Sequence, residues 1–185
     1  MAPTLQARLT LALVHVLRAS AQHSHGTGSW AWAGIFSTPE ASHTWKAQKV
    51  NGVYAEAHMK MVVLSAAAAT KANLESAESE AKHGWAATCT EVEVGETFAP
   101  TEDACFELHF GAGAESTFTM NTASAAAVVV FTEHLPTEFE STAHYFVDED
   151  GHDVEAAFQV LAIAPTAGLV CIDLFPAPRP IYEYI

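Results

Sequence analysis

Apolar residues recur at every second position in short runs broken by turn residues, and this spacing most limits what the chain can fold into. In "FELHF" (106–110) and "STFTMN" (116–121) the alternation is clean. Successive side chains of a strand point to opposite faces, so each run needs one wet and one buried face. "WAWAGIF" (30–36) alternates bulky and small residues, and Met59, Met61 and Val63 stand opposite Lys60 and Val62. Asn51-Gly52, between two strand-like runs, is the favoured pair for a two-residue type I′ hairpin. "VVVF" (128–131) is apolar throughout and is expected mid-sheet, while "DEDG" (148–151) is a turn that would pair "HYFVD" with "HDVEAAF". About seven short strands separated by turns predict a mainly β protein, an antiparallel β-sandwich of immunoglobulin or cupredoxin type.

One stretch breaks the period. "AAAATKANLESAESEAKH" (66–83) is alanine-rich, lacks Pro and Gly, and is followed by Gly84. It predicts a single inserted α-helix with Ser65 as N-cap and Lys82 and His83 in its last turn.

The two ends of the chain read differently from its middle. Residues 1–21 carry Arg8, the apolar run "LTLALVHVL" and the small-residue pattern Ala19-Ser20-Ala21, the order of features in a secretory signal peptide. A short N-terminal helix of the domain is the competing reading. Residues 22–29 are a polar, glycine-containing leader, and the sandwich is expected over 30–157. Residues 158–175 are apolar for 18 positions, but Gln159, Pro165 and Asp173 argue against a spanning helix. Residues 158–185 therefore read as an apolar strand plus an extended arm, in preference to a membrane anchor. Pro176, Pro178 and Pro180 favour extension, and Ile181, Tyr182 and Tyr184 could anchor the arm on a protein partner.

Export is consistent with the charge and cysteine content. Removing Arg8 and Arg18 leaves six basic residues against 22 acidic ones, a net charge of −16. Such a surface repels nucleic acid and anionic lipid and attracts cations. Cys89 and Cys105 bracket a loop containing Gly95 and Pro100, which suggests a disulfide and a secreted, extracellular or lumenal setting. A pair of thiolate metal ligands is the alternative, although the close spacing of structural zinc sites is absent. Cys171 is left over.

Ten histidines, among abundant carboxylates, point to a divalent transition metal, zinc first and copper or iron next. His134 and Glu138 are four apart across Pro136; if "PTEF" forms one helical turn they lean together, and His144 returns on the next strand to complete a three-ligand edge with Glu138 or Glu140. His58 and His109 are further contributors from neighbouring strands. Met59 falls on the opposite face from His58 and reads as core. Nucleophile elbows, phosphate loops and dinucleotide fingerprints are missing, so the chain reads as non-enzymatic. Trp30, Trp32 and Trp45 offer a sugar-stacking platform as a third option, with core packing the plainer reading.

The segments "HTWKAQKVNGVYAEAHMKMVVL", "CTEVEVGETFAPTEDACFELHF" and "EHLPTEFESTAHYF" together resemble a small extracellular domain associated with algal ZIP-type zinc/iron transporters and related secreted proteins. The likeness covers about residues 30–155. It implies divalent-metal handling outside the membrane and supplies no ligand set. A multi-span transporter portion is missing from the sequence, so the resemblance implies a free-standing relative. The two functions expected are therefore a secreted, metal-binding sandwich and, as the alternative, a structural subunit that docks through its C-terminal arm.

Overall fold

The computed structural model describes residues 30–161. The expected signal peptide, the leader, Cys171 and the arm beyond Leu161 lie outside the described residues. Within them the chain runs β1 (Trp32–Ser37), β2 (Ser42–Gln48), β3 (His58–Ala66), α1 (Lys71–Ala86), β4 (Thr90–Val92), β5 (Thr97–Phe98) and β6 (Phe106–His109). It continues through β7 (Glu115–Asn121), β8 (Ala127–Thr132), a 3-10 turn (Pro136–Phe139), β9 (Phe146–Val147) and β10 (Phe158–Leu161).

Two sheets stack into the β-sandwich that the alternation predicts, with α1 as a third layer on one outer face. The larger has strand order β10-β1-β8-β3-β6-β4, the smaller β5-β7-β2-β9. Both sheets are mixed rather than wholly antiparallel: β4 runs parallel to β6, and β5 runs parallel to β7. Parallel neighbours need a long crossover. The chain supplies one for β4 and β6 by leaving the larger sheet after β4, adding β5 to the smaller sheet, and returning as β6.

The β8 strand lies between β1 and β3 and is buried along its whole length. Val128 and Val130 enter the inter-sheet core with Trp45, Met59, Met61, Phe118 and Phe146. Val129 and Phe131 face the other way, into the layer under α1 with Leu64, Leu74, Ala81 and Trp85. A strand covered on both faces has no polar side, so "VVVF" shows no alternation. Trp45 is fully buried, and Trp30 and Trp32 are nearly so. They are core residues and offer no platform for a sugar.

The helix starts and stops later than its composition predicts. Ser65 and Ala66 finish β3, paired with Val128 and Ala127, so ladder pairing overrides alanine's helical preference there. Thr70 is the cap, its hydroxyl accepting the Asn73 N–H at 3.3 Å. Gly84 lies inside the helix because the helix backs onto the sheet at that point: an added Cβ would stand 2.7 Å from the Ala104 carbonyl oxygen and 3.2 Å from Val62 Cγ1.

Asn51 and Gly52 have φ of 55° and 85°, as a type I′ turn requires, but the turn closes only the Val50–Val53 bridge. The flanking strands β2 and β3 then part into different sheets instead of pairing. The 148–151 turn forms as expected, with Gly151 at φ 85° and the Val154 N–H donating to the Phe146 carbonyl at 2.9 Å. Cys89 and Cys105 form a disulfide joining the segment after α1 to the start of β6, which removes them as thiolate ligands. Phe158–Leu161 is an edge strand, integral to the larger sheet through its pairing with β1. Among the described residues no helix is long and apolar enough to cross a membrane.

Candidate functional site

His58 opens β3 and His109 closes β6, and the antiparallel register makes them direct cross-strand partners. Alternation along β3 sends Met59, Met61 and Val63 into the inter-sheet core and Val62 and Leu64 toward α1. His58 and Lys60 share the α1-bearing face with Val62 and Leu64. On β6 the same rule buries Phe106 and Leu108 and leaves Glu107 and His109 on the α1 side. The parallel strand β4 then sets Glu91 beside Glu107.

The outcome is a patch of imidazole and carboxylate groups beyond the C-terminal end of α1. Glu107 Oε1 lies 3.3 Å from His109 Nε2 and 3.9 Å from His58 Nε2. Glu93 Oε1 stands 3.8 Å from His109 Nδ1. The two rings are 6.1 Å apart between centroids. His58 is about half exposed (49%) and Glu107 and His109 about one third (33% and 34%), so the patch borders solvent. Although Glu107 is close to His109 Nε2, that nitrogen makes no hydrogen bond of acceptable angle and is shielded from solvent. Lys60, the cross-strand partner of Glu107, turns away: its ammonium donates to the Trp85 carbonyl at 2.7 Å and sits 5.1 Å over the Trp85 ring.

The predicted His134–Glu138–His144 edge does not form as one centre. Pro136 does start the single turn expected of "PTEF", and His134 Nδ1 lies 3.5 Å from Glu138 Oε2. His144, however, is held by other carboxylates: Nδ1 is 2.7 Å from Glu140 Oε1 and Nε2 is 3.9 Å from Glu155 Oε2. The intervening loop is tied down by Gln48, whose Oε1 accepts the backbone N–H groups of Ser141, Thr142 and Ala143 at 2.9, 2.8 and 3.1 Å. Each histidine is thus matched with a carboxylate of its own segment. Beside them Tyr145 has its phenol raised above the usual range by burial, with Glu140 and Glu155 adding to the effect. Among the described residues no group of three or more His, Cys, Asp and Glu side chains stands ready-arranged around a metal position, the β3–β6 patch included.

Sequence reading paired His58 with His109 only loosely and missed Glu107 and Glu93. Glu107 was accessible in principle, since E-L-H places it on the same strand face as His109. Glu93 depends on the β4–β6 register, which no local pattern encodes. No family model matches the chain, and no curated protein or solved structure matches it either.

Proposed function

We propose that this protein is a non-enzymatic binding protein of an exported compartment that captures a divalent transition-metal ion, zinc first and copper or iron next. Its capture point is the β3–β6 patch. The observation that carries the reading is the approach of two imidazole Nε2 atoms to one carboxylate oxygen, Glu107 Oε1, at 3.3 and 3.9 Å. At rest the Glu107 carboxylate lies against both rings. A rotation of Glu107 would open the space between the rings, leaving His58 and His109 as nitrogen ligands and Glu107 or Glu93 as oxygen ligands. Water completes the sphere.

Electrostatics supports the same reading. Glu91, Glu93 and Glu107 share this patch with Lys60 as a nearby cation, and Lys60 is engaged at the helix end. The net charge of −14 over the whole sequence draws cations toward it. Imidazole nitrogens select Zn²⁺, Cu²⁺ and Fe²⁺ over Ca²⁺ and Mg²⁺, which prefer all-oxygen sites. Only neutral imidazole ligates, so acidification through the range in which histidine titrates releases the ion.

Calorimetry with Zn²⁺ and Cu²⁺ tests the reading. One saturable site is expected, lost in a His58→Ala/His109→Ala variant and retained in a His134→Ala/His144→Ala variant. Binding that is absent, or that survives loss of both β-strand histidines, rejects it.

A further inference from the structure

A second histidine environment lies at the opposite end of the fold's chemistry, sealed inside it. His43 on β2 is 1% exposed, and its ring stacks on Phe146 at 5.2 Å with 14° between the planes. Its hydrogen-bond chain determines its tautomer. The Thr122 hydroxyl stands 2.7 Å from the Glu40 backbone carbonyl oxygen, which can only accept, so the hydroxyl hydrogen points there. His43 Nδ1, 2.9 Å from the same hydroxyl oxygen, must therefore be the protonated nitrogen. That leaves Nε2 as a bare acceptor, buried and without a hydrogen-bond partner. Burial disfavours the charged form of this ring.

The charged groups facing His43 come from two elements. Glu40 belongs to the turn between β1 and β2, and Asp148 and Glu149 belong to the turn after β9. These turns are fastened to each other: the Glu149 N–H donates to Glu40 Oε2 at 3.4 Å. Asp148 is itself engaged with His152, through the backbone N–H at 2.7 Å and the ring Nδ1 at 3.1 Å.

We infer that His43 is an acid-operated latch on this corner of the sandwich: a proton taken up from solvent at Nε2 opens the contact between the 38–41 turn and the 148–151 turn. The proton converts a neutral ring, paired only at Nδ1, into a buried imidazolium whose new Nε2–H has no hydrogen-bond partner in place. Of the three nearby carboxylates, Glu40 accepts from the Glu149 backbone and Asp148 from Asp150 and His152, so both already serve the turns they stabilise. Burial holds the His43 pKa below the ordinary histidine value, outweighing those three carboxylates. A histidine depressed in the folded state leaves stability intact above about pH 6.5 and removes it progressively as pH falls below that value.

Hydrogen exchange of the full chain at pH 7.5 and 5.5, corrected for intrinsic exchange, tests the latch. Amides of 40–44, 120–123 and 146–149 should lose up to about tenfold in protection at the lower pH, the limit set by an unfolded pKa near 6.5. Amides of β3 and β8 should not change. His43→Gln keeps an N–H donor for Thr122 and cannot titrate, so it should abolish the response, whereas His152→Gln should preserve it. An unchanged wild-type pattern, or an equal response in His43→Gln, overturns the inference. If that variant fails to fold, imidazole nitrogen NMR of the wild type decides. It should show the Nδ1-protonated neutral ring at pH 7.5, with imidazolium appearing in step with lost protection. Imidazolium formed while 40–44 stay protected overturns the inference equally.

Discussion

Replacing Gln48 with leucine should loosen the 141–143 loop and lower stability by about 2–3 kcal/mol. Gln48 is nearly buried and its amide is used at both ends. Its oxygen accepts three consecutive backbone N–H groups at 2.8–3.1 Å, and its nitrogen donates to Glu115 Oε2 at 2.7 Å and to the Thr142 hydroxyl at 3.3 Å. Each such bond contributes about 1 kcal/mol net, with orphaned donors costing more where water cannot reach them. Ser141 and Thr142 are exposed and regain water, while Ala143 is half-buried, which holds the total below a five-bond sum. Urea unfolding should show a lower midpoint with an unchanged slope. Gln48→Glu sharpens the test, because one carboxylate oxygen still accepts the three N–H groups while the other meets Glu115 where the amide had donated. It should destabilise alone and recover when combined with Glu115→Gln, a coupling of about 1 kcal/mol or more. A Gln48→Leu cost under about 0.5 kcal/mol, or no coupling in the double variant, would refute the role assigned to this side chain.

Four further outcomes follow from the packing and the charges. Gly84→Ala gains about 1 kcal/mol of helix propensity yet should destabilise by about 1–2 kcal/mol net in thermal unfolding, because the new methyl meets the Ala104 carbonyl. Cys89→Ala/Cys105→Ala should cost about 3 kcal/mol in denaturant unfolding under oxidising conditions, and reduction of the wild type should match it. Trp45→Ala should cost about 3–5 kcal/mol, enough to unfold most of the chain at moderate urea. Burial pushes the Asp148 carboxyl up, but hydrogen bonds from the backbone and ring of His152 and from the backbone of Asp150 bring it below the ordinary range. A depressed carboxyl contributes stability above about pH 3.9 that disappears as pH falls further, so Asp148→Asn should flatten the acid limb of a stability–pH curve.

Period-two alternation made β6 and β7 readable, and it sorted Met59, Met61 and Val63 from Lys60 correctly. It also placed "VVVF" mid-sheet, since a strand buried on both sides has no polar face to show. The sequence could not reveal where α1 begins, because Ala66 is claimed by ladder pairing with Ala127, a contact 61 positions away. Gly84 misled for a related reason. Glycine past a helix and glycine pressed against a neighbouring backbone look alike without the neighbour. The site was legible only in its residue types. His134 and Glu138 met because four residues of one turn separate them. His144 turned to Glu140 because Gln48, far back on β2, fastens the loop between. The β3–β6 patch depends on register, and register depends on the whole sandwich closing.

The proposed metal capture by this protein rests on two imidazoles on adjacent strands. Imidazole nitrogen NMR of the full chain during a zinc titration addresses it most directly. The Nε2 signals of His58 and His109 should move together and stop moving at one equivalent of zinc, while buried His43 stays still. Signals of His58 and His109 that stay fixed while other histidines respond, or that drift without saturating, would contradict it.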